Sequence, residues 1–447
     1  MNVEKKSKVG MISLGCPKNL VDSEVMLGLM KQGGFELTNQ ASDADVMIVN
    51  TCAFIEESKQ ESVDTILEMA QLKETGQLKK LIVTGCLAQR YKAKLERELP
   101  EVDYFIGTGE FQHINDFLPE TSKSLPSFRS QVRKPEFVYD YATPRISTLP
   151  PHVAYVKIAE GCSRDCSFCI IPKLRGTGRS RSIESVVREV EQLVASGTKE
   201  IHLIAQDLTD YGHDREDGAD LLGLLKALIR ISGLEWIRLM YNYPQYFDDE
   251  LVELIASSDK ICNYVDMPLQ HIDSQLLASM NRQTDEQQTM RLLEKLKTAI
   301  PGVTLRTTLI VGFPGETQAQ FEKLLKFVQD VEFDRLGVFT YSPEEGTPAA
   351  LMDHQISSQV KKQRKDQIMA VQQRISKKKH HAIIGSTQKI IVDRELSSMN
   401  SAYAFVGRTQ GQALDIDGNL FLTGTDYRVG QITEVSITNA SEYDLFA

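Results

Sequence analysis

The sequence predicts an α/β chain in three parts: a parallel α/β sheet domain, a central partial (β/α) barrel of TIM type, and a small all-β barrel. Three observations carry this. Short apolar runs alternate with helical patterns over residues 8–118, the alternation returns on a longer scale from about 152 to 350, and short strands with turn signals fill the chain from about 382. At 447 residues the chain is too long for one ordinary core, so two or three domains are expected.

In the first part, VGMISLG, ADVMIVNT and KLIVTG read as buried parallel strands, with EESKQESVDTILEMAQL as an intervening helix. Residues 121–150 scatter Pro126, Pro135, Pro144 and Pro150 among serines without a persistent period, and read as a linker. Six strand candidates follow: HVAYVKIA, EIHLIAQ, WIRLMY, ICNYVDMP, VTLRTTLIVG and RLGVFTY. Helical patterns such as IESVVREVEQLVASG lie between them, which is the cadence of a partial barrel. A Lys-rich helix over roughly 356–381 places Val360, Ile368, Val371 and Ile375 at helical spacing. Its eight basic residues read mainly as a solvated face, with contact to ribosomal RNA as the alternative. The tail, with turn signals at Asp417-Gly418 and Thr423-Gly424, reads as a small barrel or sandwich. The expected domains are therefore 1–120, a linker over 121–150, 151–378 and 379–447.

A hydrophobic content of 41% and a charged content of 25% describe a soluble globular protein. A net charge of −10 argues against a chain built throughout to coat nucleic acid. No apolar run suits a signal peptide or a membrane span, so a cytoplasmic location is expected.

Seven cysteines, at 16, 52, 86, 162, 166, 169 and 262, are better read as metal-binding or catalytic than as disulfides in a reducing compartment. Cys262 lies inside an apolar strand and reads as core. The stretch KIAEGCSRDCSFCIIP follows the first barrel strand with the spacing Cys-x3-Cys-x2-Cys. Iron–sulfur clusters usually take four thiolates, so three leave one iron open for an exogenous ligand. The competing zinc site would need a fourth ligand from His152 or His202, neither of which has close ligand spacing. Cys16, Cys52 and Cys86 each sit just past the carboxyl end of a predicted parallel strand, the edge where open α/β sheets bind ligands. Three such placements imply convergence, although any one of them could be a buried core thiol.

With Phe168 before its last cysteine, Cys162–Cys169 resembles the signature of radical S-adenosylmethionine (SAM) enzymes. The resemblance implies a 4Fe–4S cluster whose open iron chelates SAM. One electron then cleaves SAM to methionine and a 5′-deoxyadenosyl radical that abstracts hydrogen from a C–H bond. The N-terminal cysteines resemble the auxiliary 4Fe–4S site of the methylthiotransferases, and the tail resembles their TRAM domain. In that family SAM is both methyl donor and radical source. SLGCPKNLVDSE, EGCSRDCSFCIIPKLRG and FTYSPEEGTPAA resemble the RimO-like branch. That branch methylthiolates the β-carbon of an aspartate in small-subunit ribosomal protein twelve. Pro17 stands where the MiaB-like branch, which modifies adenosine in transfer RNA, typically carries Gln.

The tail is net −4, from four basic and eight acidic residues over 382–447, which suits a basic protein partner better than transfer RNA. LIVGFPGET, with Gly312 and Pro314, resembles the segment whose backbone lies along the SAM adenine. Gln206 and Arg238, near strand ends, are candidates for the SAM ribose or carboxylate, and Gln270 or His271 is a candidate to face the site, without an assigned role. The resemblance further implies two clusters, an electron donor such as flavodoxin, and a substrate met free or within the ribosomal subunit. A two-cluster electron carrier without SAM chemistry is the alternative from another class; it predicts four local ligands per cluster and does not explain the barrel.

Overall fold

The computed structural model describes residues 7–76, 78–118, 128–396 and 402–447. Two compact units are present. One comprises the chain up to residue 148 with residues 155–165 and 169–189; the other comprises residues 149–154, 166–168 and 190–447.

The first unit is built on a six-stranded parallel sheet, in the order Glu36–Thr38, Lys8–Ser13, Val46–Thr51, Lys80–Gly85, Tyr104–Ile106, Ser130–Gln131. The central strand VMIVNT is buried along its whole length, as an apolar run covered by helices on both faces must be. Crossover helices Pro17–Gln32, Glu56–Glu74 and Cys86–Glu98 supply that cover. Proline at the first helical position suits the start of Pro17–Gln32, because its missing N–H would have had no intrahelical partner there.

The expected linker differs from a spacer where it is described. Ser130–Gln131 forms the sixth strand, Tyr139 is 2% exposed, and Arg145 donates to Glu24 and Glu189 at 2.6 Å each. Irregular φ/ψ set by proline and serine erased the period without removing the contacts. Residues 119–127 of that stretch lie outside the described residues.

All six predicted barrel strands form; five lie wholly in the second unit, and the first, Val153–Lys157, contributes only residues 153 and 154 to it. Their order is Arg335–Thr340, Thr304–Val311, Ile261–Asp266, Trp236–Leu239, Glu200–Ile204, Val153–Lys157, an open sequential array rather than a closed barrel. The helix Ser358–Ala382 packs on it through Ile368, Val371 and Ile375. Six of its eight basic residues have partners within the unit. Lys361 donates to Tyr341 O, Arg364 meets Glu316, and Lys362, Lys377, Lys378 and Lys379 pair with Asp366, Glu442, Glu332 and Asp334. The tail is a six-stranded sheet around Ile390, Val392, Phe405, Leu420, Leu422 and Leu445, the expected small all-β domain. Among the described residues no helix is long and apolar enough to cross a membrane.

Candidate cluster and cofactor site

The three N-terminal cysteines leave three adjacent strands at the same edge. Ser13 pairs with Asn50 and Thr51 with Gly85, so the chain ends carrying Cys16, Cys52 and Cys86 are neighbours in the sheet. Strand order reverses between Lys8–Ser13 and Val46–Thr51, and this is the switch point at which α/β sheets open a ligand crevice. Gly15 makes the close approach possible. Its φ is +87°, and a Cβ there would lie 2.8 Å from Cys52 Cβ and 3.0 Å from its sulfur.

Cys16 caps the helix Pro17–Gln32 and Cys86 opens the helix Cys86–Glu98, positions where the helix dipole favours a thiolate. Cys16 is exposed, whereas Cys52 and Cys86 are buried. Burial pushes the Cys52 thiol up, and pushes Cys86 up to about 12 although Arg175 beside it works in the opposite direction. Such thiols ionise readily only against a bound cation, which the irons of a cluster supply.

Arg175, which the sequence reading missed, is held in a buried network. It donates to Asp22 and Glu160 at 3.0 Å and to Asn19 Oδ1 at 2.6 Å, while Lys157 bonds the same two carboxylates. Asn19 in turn donates to Leu14 O and Thr51 O at 2.9 Å, fixing the backbone before Cys16 and Cys52. The helix Pro17–Gln32 thus buries polar residues of CPKNLVDSE for a positioning purpose. The signal was available in the sequence as polar residues on a face that apolar spacing would have filled.

In the second cysteine set, the Cys162 N–H donates to Gly176 O at 3.0 Å, and the Arg164 N–H points to Cys162 Sγ at 3.4 Å. Next to Cys166, Ser167 donates from N to Met280 O at 3.0 Å and from Oγ to Ser279 O at 2.7 Å. Arg282, also missed, places Nη1 3.8 Å from Cys166 Sγ. Phe168 packs on a cluster of Leu276, Met280, Ile310, Phe313 and Tyr341. Both candidate fourth ligands for zinc are committed elsewhere: His152 Nε2 lies 3.0 Å from Asp393, and His202 Nε2 lies 2.9 Å from Glu200. Among the described residues no three His, Cys, Asp or Glu side chains are grouped as for a single ion. A cubane does not demand that grouping, since each cysteine ligates a different corner.

The SAM candidates divide. Gln206 lies just past the strand Glu200–Ile204, on the carboxyl side of the barrel as expected. Gly312 and Pro314 follow the strand Thr304–Val311, and Phe313 between them is fully buried. The close approach at Gly312, however, comes from within the protein: φ is +74° and a Cβ would lie 2.2 Å from Lys361 Cγ. Glu316 holds this loop by accepting from the Gly312 N–H and from Arg364 at 2.9 Å. His271 is fully buried, accepts the Asp273 N–H at Nδ1 and faces Glu316 at 3.5 Å, a structural placement rather than that of a general base.

Arg238 requires a correction. It is fully buried, with Nε on Glu200 at 3.0 Å and Nη1 on Gln410 O at 2.6 Å. Glu200 opens its strand, so the guanidinium is directed to the amino end of the barrel, away from the carboxyl edge that would meet SAM. Cys262 is fully buried, and burial pushes its thiol up to about 11, as for an inert core cysteine.

Residues 156–328 match the Radical SAM superfamily, residues 384–447 the TRAM domain, and residues 8–107 a family described only as Uncharacterized protein family UPF0004. The ribosomal protein uS12 methylthiotransferase RimO of Syntrophotalea carbinolica is 51% identical over 99% of this chain and 97% of its own. The chain belongs to the RimO family of methylthiotransferases. The RimO of Clostridioides difficile is 45% identical over 98% of both chains. Among solved structures, the radical SAM methyltransferase TsrM of Kitasatospora setae aligns at a TM-score of 0.57 over 78% of this chain and 77% of its own. At 18% identity that likeness speaks to the fold alone. As a RimO family member the chain is a radical SAM transferase, and the MiaB-like alternative is not favoured.

Proposed function

We propose that the chain methylthiolates the β-carbon of an aspartate in ribosomal protein uS12, with SAM and two 4Fe–4S clusters as cofactors. The observation that carries this reading is the presence, in one chain, of three cysteines at the carboxyl ends of adjacent parallel strands and a Cys-x3-Cys-x2-Cys loop after the first barrel strand. Cys162, Cys166 and Cys169 hold the radical cluster; Cys16, Cys52 and Cys86 hold the auxiliary one. When bound, these groups supply an electron to cleave SAM, a radical to open the C–H bond, and a site for the sulfur that is inserted.

The protein's own groups prepare that chemistry. Gly15 and Asn19 hold the auxiliary cysteines at the sheet edge, and Arg175 places a fixed positive charge beside Cys86. Ser167 ties the radical loop to residues 279 and 280. Phe168, Gln206, Gly312 and Pro314 form the SAM contact set, with Glu316 and Arg364 keeping the Gly312 loop in place. We take the working domains as 1–120, 151–378 and 379–447, each of which contains one matched segment whole: 8–107, 156–328 and 384–447. Cytoplasmic uS12, free or in the small subunit, is the partner, with flavodoxin or a similar low-potential protein as electron donor.

The test separates the two cysteine sets. Anaerobically reconstituted protein should hold roughly eight irons, four per cubane. Replacing Cys162, Cys166 and Cys169 with Ala should halve the iron and abolish 5′-deoxyadenosine formation. Replacing Cys16, Cys52 and Cys86 should also halve the iron, yet preserve SAM cleavage and stop the mass gain of a methylthio group on uS12. Persistence of SAM cleavage in the first variant would refute the assignment.

A further inference from the structure

We propose that Arg282 is a positioning residue of the radical cluster: its guanidinium donates to the Cys166 sulfur and stabilises the cluster after it accepts an electron. This rests on the reading of Cys166 as a cluster ligand.

Six arginines are buried among the described residues. Five of them, Arg175, Arg181, Arg238, Arg364 and Arg408, pair with carboxylates. Arg282 is different. Its partners are Cys166 Sγ at 3.8 Å, Pro268 O at 2.8 Å and the ring of Tyr243, whose centroid lies 4.0 Å from the guanidinium carbon. Its Nε, buried in a residue only 9% exposed, has no hydrogen-bond partner. A carbonyl and an aromatic face do not neutralise a buried cation, and burying one without an anion is costly. The anion that completes the set is the cysteine sulfur ligated to a cluster whose net charge, counting its thiolates, is negative.

The placement is rigid. Asn281 adopts φ +54°, which turns the chain at the end of the helix Ser274–Ser279, and the Arg282 N–H closes the turn on Leu277 O at 2.8 Å. Ser167, the neighbour of Cys166, is hydrogen-bonded to Ser279 O and Met280 O. Arg282 and Cys166 are therefore held to one another through three backbone groups as well as directly. Reduction adds one electron from a low-potential donor to the cluster, with no bond made or broken, and makes its charge one unit more negative. A fixed positive charge at the sulfur favours that state, as does a charge-assisted N–H···S bond.

The experiment uses the full chain, reconstituted with iron and sulfide, in a Cys16→Ala, Cys52→Ala, Cys86→Ala background so that one cluster is read. Dithionite titration followed by electron paramagnetic resonance gives the midpoint potential, and SAM affinity is measured in parallel. Arg282→Met should lower the reduced-to-oxidised ratio at a fixed potential at least tenfold, equivalent to about 59 mV for one electron. Arg282→Lys, which keeps the charge, should recover most of the shift. An unmoved midpoint with full iron overturns the proposal. So does weakened SAM binding at an unmoved midpoint, which would make Arg282 an anchor for the SAM carboxylate. Loss of iron in both variants also overturns it, by making Arg282 an assembly residue. Absence of any cluster in the parent background would instead refute the reading of Cys162, Cys166 and Cys169.

Discussion

Glu200 shows how much one side chain can organise. It is fully buried and accepts from Arg408 at 2.6 Å, Arg238 at 3.0 Å and His202 at 2.9 Å. Burial alone would raise its carboxyl, but Arg408, His202 and Arg238 outweigh burial and hold it well below the usual range. Arg408 also chelates Asp393, which meets His152, so tail and barrel residues of the second unit share one charge network. Glu200→Ala leaves the buried Arg238 without a carboxylate, and should cost about 3–5 kcal/mol. Urea unfolding of the full chain measures this, and a midpoint equal to the parent's would show that the network is dispensable.

At the scale of an element, the helix Ser358–Ala382 ends in a histidine with a defined pH signature. His380 Nε2 accepts from Arg335 at 2.7 Å and Nδ1 lies 3.1 Å from Ser441 O, an arrangement that needs the neutral ring. Burial, reinforced by Arg335, lowers its pKa from 6.5 to about 4. A depressed folded value means that His380 adds its full stability above pH 6.5 and loses it as pH falls toward about 4, with no further loss below. The loss is at most roughly 3.5 kcal/mol, and less to the extent that solvent screens the ring. Between about pH 7 and about pH 4.5 the parent should therefore lose more stability than His380→Gln, and equal losses would contradict the assignment. The same helix shows why a basic run is a weak sign of nucleic acid: most of its cations serve Tyr341, Glu316 and surface carboxylates of the same unit.

For the whole molecule, packing and cluster binding are separable. The first unit's core rests on Ile66, Leu81, Val83 and Phe105, with Cys86 only one of its members. Removing iron should therefore leave the far-ultraviolet circular dichroism nearly unchanged while lowering the thermal midpoint by roughly 5 °C or more, through loss of a ligand bound only to the native state. Collapse of the helical signal on chelation would show instead that the clusters are required for folding. The tail's charge also reads differently in three dimensions. Of its acids, Asp393 is consumed by Arg408 and Asp417 accepts from Tyr264 at 2.8 Å. The exposed set is Glu395, Asp415, Asp426 and Glu434 against Lys389, Arg394 and Arg428, a near balance that weakens the net −4 as a sign of a basic partner.

The sequence by itself determined the three-part architecture, the six barrel strands and the family. Strand periods, helix periods and cysteine spacing are local quantities, and a chain that obeys them has few ways to pack. It also placed Cys16, Cys52 and Cys86 at strand ends, because parallel strands of similar length bring their carboxyl ends to one edge. Only the tertiary structure decided which polar residues serve those sites. Arg282 lies 116 residues from Cys166 and Arg175 lies 153 from Asp22, separations that no periodic pattern spans. Arg238 was misplaced for the same reason. Nearness to a strand end says nothing about where a long side chain goes, and Glu200, on the neighbouring strand, drew its guanidinium to the opposite end of the barrel.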